Sequence, residues 1–330
     1  MNLSSFQSYI SLLSQKLAFP KPLAAEFLQF SASYEAALAS QGKTCESSIP
    51  TFTTFLNCVG KQLQTPHPFA TYHQAVRAPI DYYQLGLDFI RDLIDFPKSK
   101  VLGVNNLQDI QTAISKKENV ILFSNHQTEI DPQIISLLIE KTNPELAQEM
   151  IFVAGHRVTT DPLAVPLSLG RNLLCIYSKR HIDQPPEKKE EKQQHNMAVI
   201  KKLGELLNEG GKCIYIAPSG GRDRANQQGV VEVAPFDPQS VELFYLLGRK
   251  ASCPTHFHTL ALSTYHLLPP PDQILVAIGE SRYTTFFPAH LFFGPELDML
   301  HLADCHLLQE KQQEKQQDKQ KQREARATAI

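Results

Sequence analysis

The chain has 330 residues, of which 42% are hydrophobic and 20% charged, and its formal net charge is −2 at pH 7. That length and apolar fraction suit one large domain or two unequal ones, which excludes global disorder. The near balance of charge excludes broad electrostatic binding of nucleic acid, so any anion site must come from a local cluster.

In chain order, the opening MNLSSFQSYISLLSQKLAF lacks the basic start and clean apolar stretch of a secretory signal. Phe6, Ile10, Leu13 and Leu17 recur at helical spacing until Pro20 and Pro22 break the run; Leu23, Phe27, Phe30, Tyr34 and Leu38 form a second stripe. Gly42 suits a left-handed cap after that stripe. Ser47-Ser48-Ile49-Pro50 reads as the start of a third helix, carrying Phe52, Phe55, Leu56, Val59 and Leu63. The stripes are most simply the core of a small helical bundle. Turn-rich Gln64-Thr-Pro-His-Pro68 marks a candidate boundary, and a helix is expected from Pro79 to Pro97.

From Asn119 the pattern changes. Short apolar runs at 120–123, 151–154, 173–177, 213–217, 259–262 and 274–278 alternate with helix candidates at 133–140, 196–208 and 239–247. The fold class expected is α/β: a small N-terminal helical bundle (1–75), then a larger domain (76–307) with a mixed, mainly parallel sheet covered by helices. In such sheets ligands gather at the loops beyond the carboxyl ends of the strands. A polar tail (308–330) contains a near-repeat of Gln-Glu-Lys-Gln from Gln309 to Gln320; with no apolar stripe, it reads as a solvated, frayed helix or disorder. No run of about 18 apolar residues occurs. Cys45, Cys58, Cys175, Cys213, Cys253 and Cys305 form no Cys-x-x-Cys, and Cys175 and Cys213 sit in apolar runs, which fits a reducing compartment; a soluble cytoplasmic chain is the expectation.

The first constellation that could carry chemistry is Ser124-Asn-His-Gln-Thr-Glu-Ile-Asp-Pro132, which puts His126 at a strand's end. Five residues along a helix rotate the side chain by about 140°, so His126 and Asp131 can meet only if a loop bends back between them. Asp131 before Pro132 suits a helix N-cap, with one oxygen for backbone N–H groups and the other for the imidazole. A carboxylate on one ring nitrogen leaves the other as a general base; the alternative is a polar strand-to-helix turn. The same spacing recurs at His156 and Asp161-Pro162, so local grammar alone does not separate the two.

After the run 213–217 comes Ala217-Pro-Ser-Gly-Gly-Arg-Asp-Arg224. Ser219, Gly220 and Gly221 could turn backbone N–H groups outward, and Arg222 and Arg224, two apart, project to one face of an extended chain. Two guanidinium forks above a glycine turn suit a phosphate; the plainer reading is a tight turn with surface arginines. Tyr177-Ser-Lys-Arg-His181 adds Arg180 and His181 at another strand end, as part of the same pocket or as a solvated rim. His256 and His258 share a strand face beside Cys253, but no fourth ligand is near, so no metal is expected. Without Gly-x-Gly-x-x-Gly or a Walker motif, no nucleotide cofactor is expected either.

Taken in this order, Asn125-His126-x-x-x-x-Asp131-Pro132, the basic 177–181 segment and APSGGRDR resemble the soluble, plastid-type glycerol-3-phosphate acyltransferases and their bacterial relatives. The resemblance extends to Arg77-Ala-Pro-Ile-Asp-Tyr-Tyr83, Ala164 to Asn172 and Ala234-Pro-Phe-Asp237, and covers about residues 65–280. It implies acyl transfer from acyl carrier protein or CoA to the sn-1 hydroxyl of glycerol 3-phosphate, without a cofactor. His126 is then the base, Asp131 its partner, and Arg180, His181, Arg222, Arg224 and the 219–221 turn surround the phosphate. The family has Asp where this chain has His156, which makes the second spacing non-catalytic, and Lys where it has Arg180. Carrier protein is acidic, so a docking patch drawn from Lys179, Lys188, Lys189, Lys192, Lys201 and Lys202 is expected. Membrane contact is at most peripheral, and the plastid stroma is the family's alternative compartment. Two rival readings stay open: acylation of lysophosphatidate, whose enzymes share His-x-x-x-x-Asp but carry Glu-Gly-Thr-Arg where this chain has Ser219-Gly220-Gly221-Arg222, and a non-catalytic phosphoester-binding module.

Overall fold

A computed structural model of the protein describes residues 3–271, 282–302 and 318–330; the strand expected at 274–278 and most of the 309–320 repeat lie outside them. Three helices lead: α1 (Leu3–Lys16), α2 (Lys21–Ala39) and α3 (Ile49–Gln64). Pro22 and Pro50 fall in the first turns of α2 and α3, where no backbone N–H is required. Their apolar stripes close on Phe52, which is fully buried, with the rings of Phe6, Phe27, Phe30, Tyr34 and Phe89 4.8–6.4 Å from it.

Phe89 belongs to α4 (Tyr82–Arg91), and the same core takes in Ile130, Ile134, Leu163 and Leu167. The amino-terminal helices therefore brace the ground on which the candidate site stands. Helix α4 stops short of Pro97 because Ile94 leaves the helix to bridge Phe287.

Next come β1 (Lys100–Leu102), α5 (Val104–Ser115), β2 (Asn119–Ser124), α6 (Asp131–Ile139), α7 (Pro144–Glu149), β3 (Ile151–Gly155), α8 (Val165–Ser168), β4 (Asn172–Ile176), α9 (Lys179–Ile182) and α10 (Lys189–Glu209). They are followed by β5 (Cys213–Ile216), β6 (Arg224–Ala225), β7 (Val231–Glu232), α11 (Pro238–Lys250), β8 (Thr255–Ser263), β9 (His290–Glu296) and α12 (Asp318–Ala329). Among the described residues the main sheet has the order β1-β9-β8-β2-β5-β3-β4, parallel from β8 to β4, with β9 antiparallel to β8. Strands β2 and β5 are buried along their whole length, as unbroken apolar runs between helical layers must be. Their carboxyl ends, with those of β3, β4 and β8, share one edge of the sheet. Among the described residues no helix is long and apolar enough to cross a membrane. Cys175 and Cys213 are free and buried, and burial pushes both thiols up to about 12.

The chain beyond 317 is not a loose extension. Helix α12 packs on α11: Ala327 is buried, and the Arg326 guanidinium sits 4.6 Å from the Tyr245 ring centroid and pairs with Glu242.

His256 ties three neighbouring strands. Its Nδ1 lies 2.7 Å from Glu296 at the end of β9 and its Nε2 2.9 Å from Glu118, just before β2. His258 is buried against the Gly294 carbonyl. Burial alone would lower the His256 imidazole, but Glu296 and Glu118 outweigh it and raise it above the ordinary 6.5. A raised folded-state value stabilises fully below the unfolded value and fades as pH rises through the folded one. His256→Gln should therefore cost up to about 1 kcal/mol in denaturant unfolding near pH 5.5 and less near pH 9; a cost independent of pH would contradict the clamp.

Candidate active site

The site grows from the end of β2. Ser124 donates to the Leu260 carbonyl on β8 (2.6 Å), and beyond it Asn125 continues the ladder with its side chain. Asn125 Oδ1 accepts from Leu262 N (2.7 Å) while Nδ2 donates to Leu262 O (3.0 Å), so the amide stands in for a peptide. The main chain is thus free to leave the sheet at His126.

The loop then bends back, as the spacing of His126 and Asp131 requires. His126 Nδ1 lies 2.8 Å from Asp131 Oδ2, and the same oxygen accepts from Gln127 N (2.8 Å) and Thr128 N (3.2 Å). Thr264 Oγ1 donates to Oδ1 at 2.6 Å. Asp131 is completely buried, and among the described residues these four donors converge on it, which is what a buried carboxylate requires. The expected division of labour is corrected here. Ile130, not Asp131, occupies the N-cap of α6, and one oxygen takes both the imidazole and the backbone. Asp131 closes the loop rather than capping the helix ahead of it. Because a carboxylate only accepts, Nδ1 carries the proton and Nε2 holds the lone pair on a side chain that is 30% exposed.

The second segment follows β5. Gly220 has φ +66° and open space where a Cβ would stand, so the turn uses a left-handed position that favours glycine. Its N–H donates to Ala217 O (3.1 Å) and Ser219 Oγ to Gly221 O (3.0 Å). Of the N–H groups expected to face outward, that of Gly220 is thus used within the turn. Arg222 and Arg224 are part-exposed while Asp223 between them is fully buried, the alternation of an extended chain. Arg224 Nη1 donates to the Pro271 carbonyl. Asp223 reaches across to the first loop: its N–H donates to His126 O (2.6 Å), and its Oδ2 accepts from Asn125 Nδ2 (2.9 Å) and Gln127 Nε2 (3.3 Å). Asp237 steadies the far side, giving its N–H to Pro218 O (3.2 Å) and capping α11 through Ser240 N (2.9 Å).

His181 lies in α9, just beyond β4, whose carboxyl end is on strand spacing about 14 Å from that of β2. The side chain of Arg180 lies outside the described residues. Lys192 is buried and donates to the carbonyls of His181 (2.7 Å) and Gln184. It is therefore an internal strut of this loop and not part of a surface patch, whereas Lys188, Lys189 and Lys201 are exposed.

The twin spacing does not form a pair. His156 Nε2 faces the Tyr177 hydroxyl (2.9 Å), while Asp161 Oδ2 accepts from Arg282 Nη2 (2.7 Å). Arg282 also grips Glu129 in the His126 loop. Burial would raise the Glu129 carboxyl, but Arg282, helped by Arg222 and Arg157, holds it below the usual carboxylate range. This cluster went unseen in the sequence, as did Thr264, and no local signal marks either. That Asp223 points away from Arg222 and Arg224 follows from their alternation along an extended chain; that it is buried against the His126 loop does not.

Residues 101–261 match the family model described as Acyltransferase. Over 290 residues (87% of the chain) the sequence is 41% identical to a chloroplastic glycerol-3-phosphate acyltransferase of Cucurbita moschata, covering 63% of that protein. A second such protein of the same plant is 39% identical over 91% of the chain, with 68% of its length covered. One of Arabidopsis thaliana is 37% identical over 89% of the chain, with 65% covered. The chain thus spans 63% to 68% of the length of these three relatives.

Thr264→Val should leave Asp131 Oδ1 buried without its donor and cost about 1–3 kcal/mol of stability, measured by denaturant unfolding. If His126 acts as a base, Asp131→Asn should lower turnover on the order of 10³–10⁴-fold by favouring the wrong tautomer of the imidazole. Near-native stability for the first, or near-native turnover for the second, contradicts the hydrogen-bond scheme.

Proposed function

This chain belongs to the glycerol-3-phosphate acyltransferase family, and from that premise we propose that it transfers a fatty acyl group from an acyl thioester to the sn-1 hydroxyl of glycerol 3-phosphate, giving lysophosphatidate. The observation that carries the reading is the His126–Asp131 pair, closed on a fully buried carboxylate and hydrogen-bonded through His126 O to the segment bearing Arg222 and Arg224.

In this reading Arg222 and Arg224, with the 219–221 turn, Arg180 and His181, hold the phosphate. Binding energy is thereby converted into orientation of the hydroxyl. Nε2 of His126 takes the hydroxyl proton as the oxygen attacks the thioester carbonyl, and Asp131 balances the imidazolium. The tetrahedral intermediate collapses by breaking its C–S bond, and the departing thiolate receives the proton from Nε2. The products are ester and thiol, and no acyl-enzyme is needed.

Acyl carrier protein is the donor we favour over CoA, docking through Lys188, Lys189 and Lys201. The relatives are named as chloroplastic; the plastid stroma and the cytoplasm are the two candidate compartments, separated by imaging the tagged chain in plant cells.

The decisive assay incubates purified protein with labelled glycerol 3-phosphate and acyl-carrier thioester, and lysophosphatidate is the expected product. His126→Ala should lower kcat on the order of 10²–10⁴-fold, while His156→Ala should stay within about tenfold of wild type because its imidazole faces Tyr177. Arg224→Ala should raise the glycerol 3-phosphate KM about 10–100-fold. Full turnover in His126→Ala overturns the base assignment, and a carrier KM indifferent to salt removes the lysine patch.

A further inference from the structure

Asp223 is fully buried, although both of its chain neighbours are part-exposed. Its Oδ2 accepts from Asn125 Nδ2 and Gln127 Nε2, the residues on either side of His126, and its own N–H donates to the carbonyl of His126 itself at 2.6 Å. Oδ1 accepts from Ala234 N at 2.9 Å. Gln127 passes the connection on: its Oε1 accepts from Thr264 N (2.7 Å) and Tyr265 N (3.0 Å), and the Thr264 hydroxyl ends on Asp131. One buried carboxylate thus grips the peptide carrying the base from both sides, on a segment whose outward face carries the arginines.

We propose that Asp223 is a positioning residue that couples occupancy of the arginine site to the placement of His126, so that a phosphate dianion bound there accelerates acyl transfer even when it is not attached to the acceptor. The proposal rests on the reading above. Its physical basis is that a buried, fully hydrogen-bonded network is stiff: shifting or ordering Arg222 and Arg224 moves Asp223, and Asp223 moves the His126 peptide. An anion that draws Arg222 and Arg224 towards it therefore carries the His126 peptide with them. Attached or free, the phosphate acts on the same joint.

The test uses glycerol, which lacks the phosphate, as acceptor, and inorganic phosphate as the probe. With acyl-carrier thioester and wild-type protein, saturating inorganic phosphate should raise the rate of glycerol acylation about tenfold or more. Asp223→Asn keeps the size of the side chain but places an amide where two donors converge. It should bind inorganic phosphate with a Kd within about threefold of wild type by calorimetry, yet show activation of about twofold or less. A side chain that merely held the fold together would lower both rates and leave their ratio intact. If Asp223→Asn does not fold, Gln127→Glu applies the same criterion, since it preserves the acceptor for Thr264 and Tyr265 while removing the donor to Asp223.

Absence of phosphate activation in wild type overturns the proposal. So does a variant that keeps the activation, or one that loses phosphate binding together with it. Failure of the function reading looks different, because glycerol 3-phosphate itself would then not be acylated by the wild-type protein.

Discussion

A completely buried carboxylate, Asp131, sets the terms for the rest of the site. Taken out of water, it needs donors on both oxygens, and those it finds come from the His126 ring, two peptides of the loop after β2, and a hydroxyl beyond the end of β8. Satisfying one buried anion therefore closes the loop, joins two adjacent strands and chooses the tautomer of the imidazole. None of these consequences can be separated from the others, because each donor is also a structural tie. A second buried carboxylate, Asp223, does for the neighbouring loop what Asp131 does for its own.

The surrounding architecture makes these ties possible. Parallel strands deliver β2, β5, β3, β4 and β8 to one edge, so chain segments far apart in sequence arrive side by side. The side-chain amide of Asn125 extends the ladder by one step and lets the main chain turn out at His126. On the other side, the aromatic core around Phe52 reaches Ile130 and Ile134, so the α2–α4 layer backs the loop and the start of α6. Arg282 adds an ionic brace from Glu129 to Asp161.

Much of this was legible in the sequence, for identifiable reasons. Runs such as Val120 to Phe123 and Cys213 to Ile216 announce buried parallel strands because covered strands are apolar throughout. Stripes at Leu23, Phe27, Phe30 and Tyr34 announce helices that share a core. The short β1, the helix α5 and the returning β9 were missed. Lys100–Leu102 is too brief to show a period, and His290–Glu296 mixes glycine and proline into a strand whose place between β1 and β8 is decided by those neighbours. At the site, the meeting of His126 and Asp131 could be required but not seen. What closed the loop, Thr264 from 133 residues away, is invisible to any local pattern. The twin at His156 shows the converse: the same spacing, placed beside Tyr177 and Arg282, is drawn apart by better partners.

Everything proposed for His126 depends on which nitrogen bears the proton. Nitrogen NMR on histidine-labelled protein reads that directly for the neutral ring. The expected result is a proton on Nδ1 and a bare Nε2, with the preference lost in Asp131→Asn. A neutral ring protonated at Nε2 in the wild-type protein would contradict the role given to Asp131 and, with it, the assignment of His126 as the base.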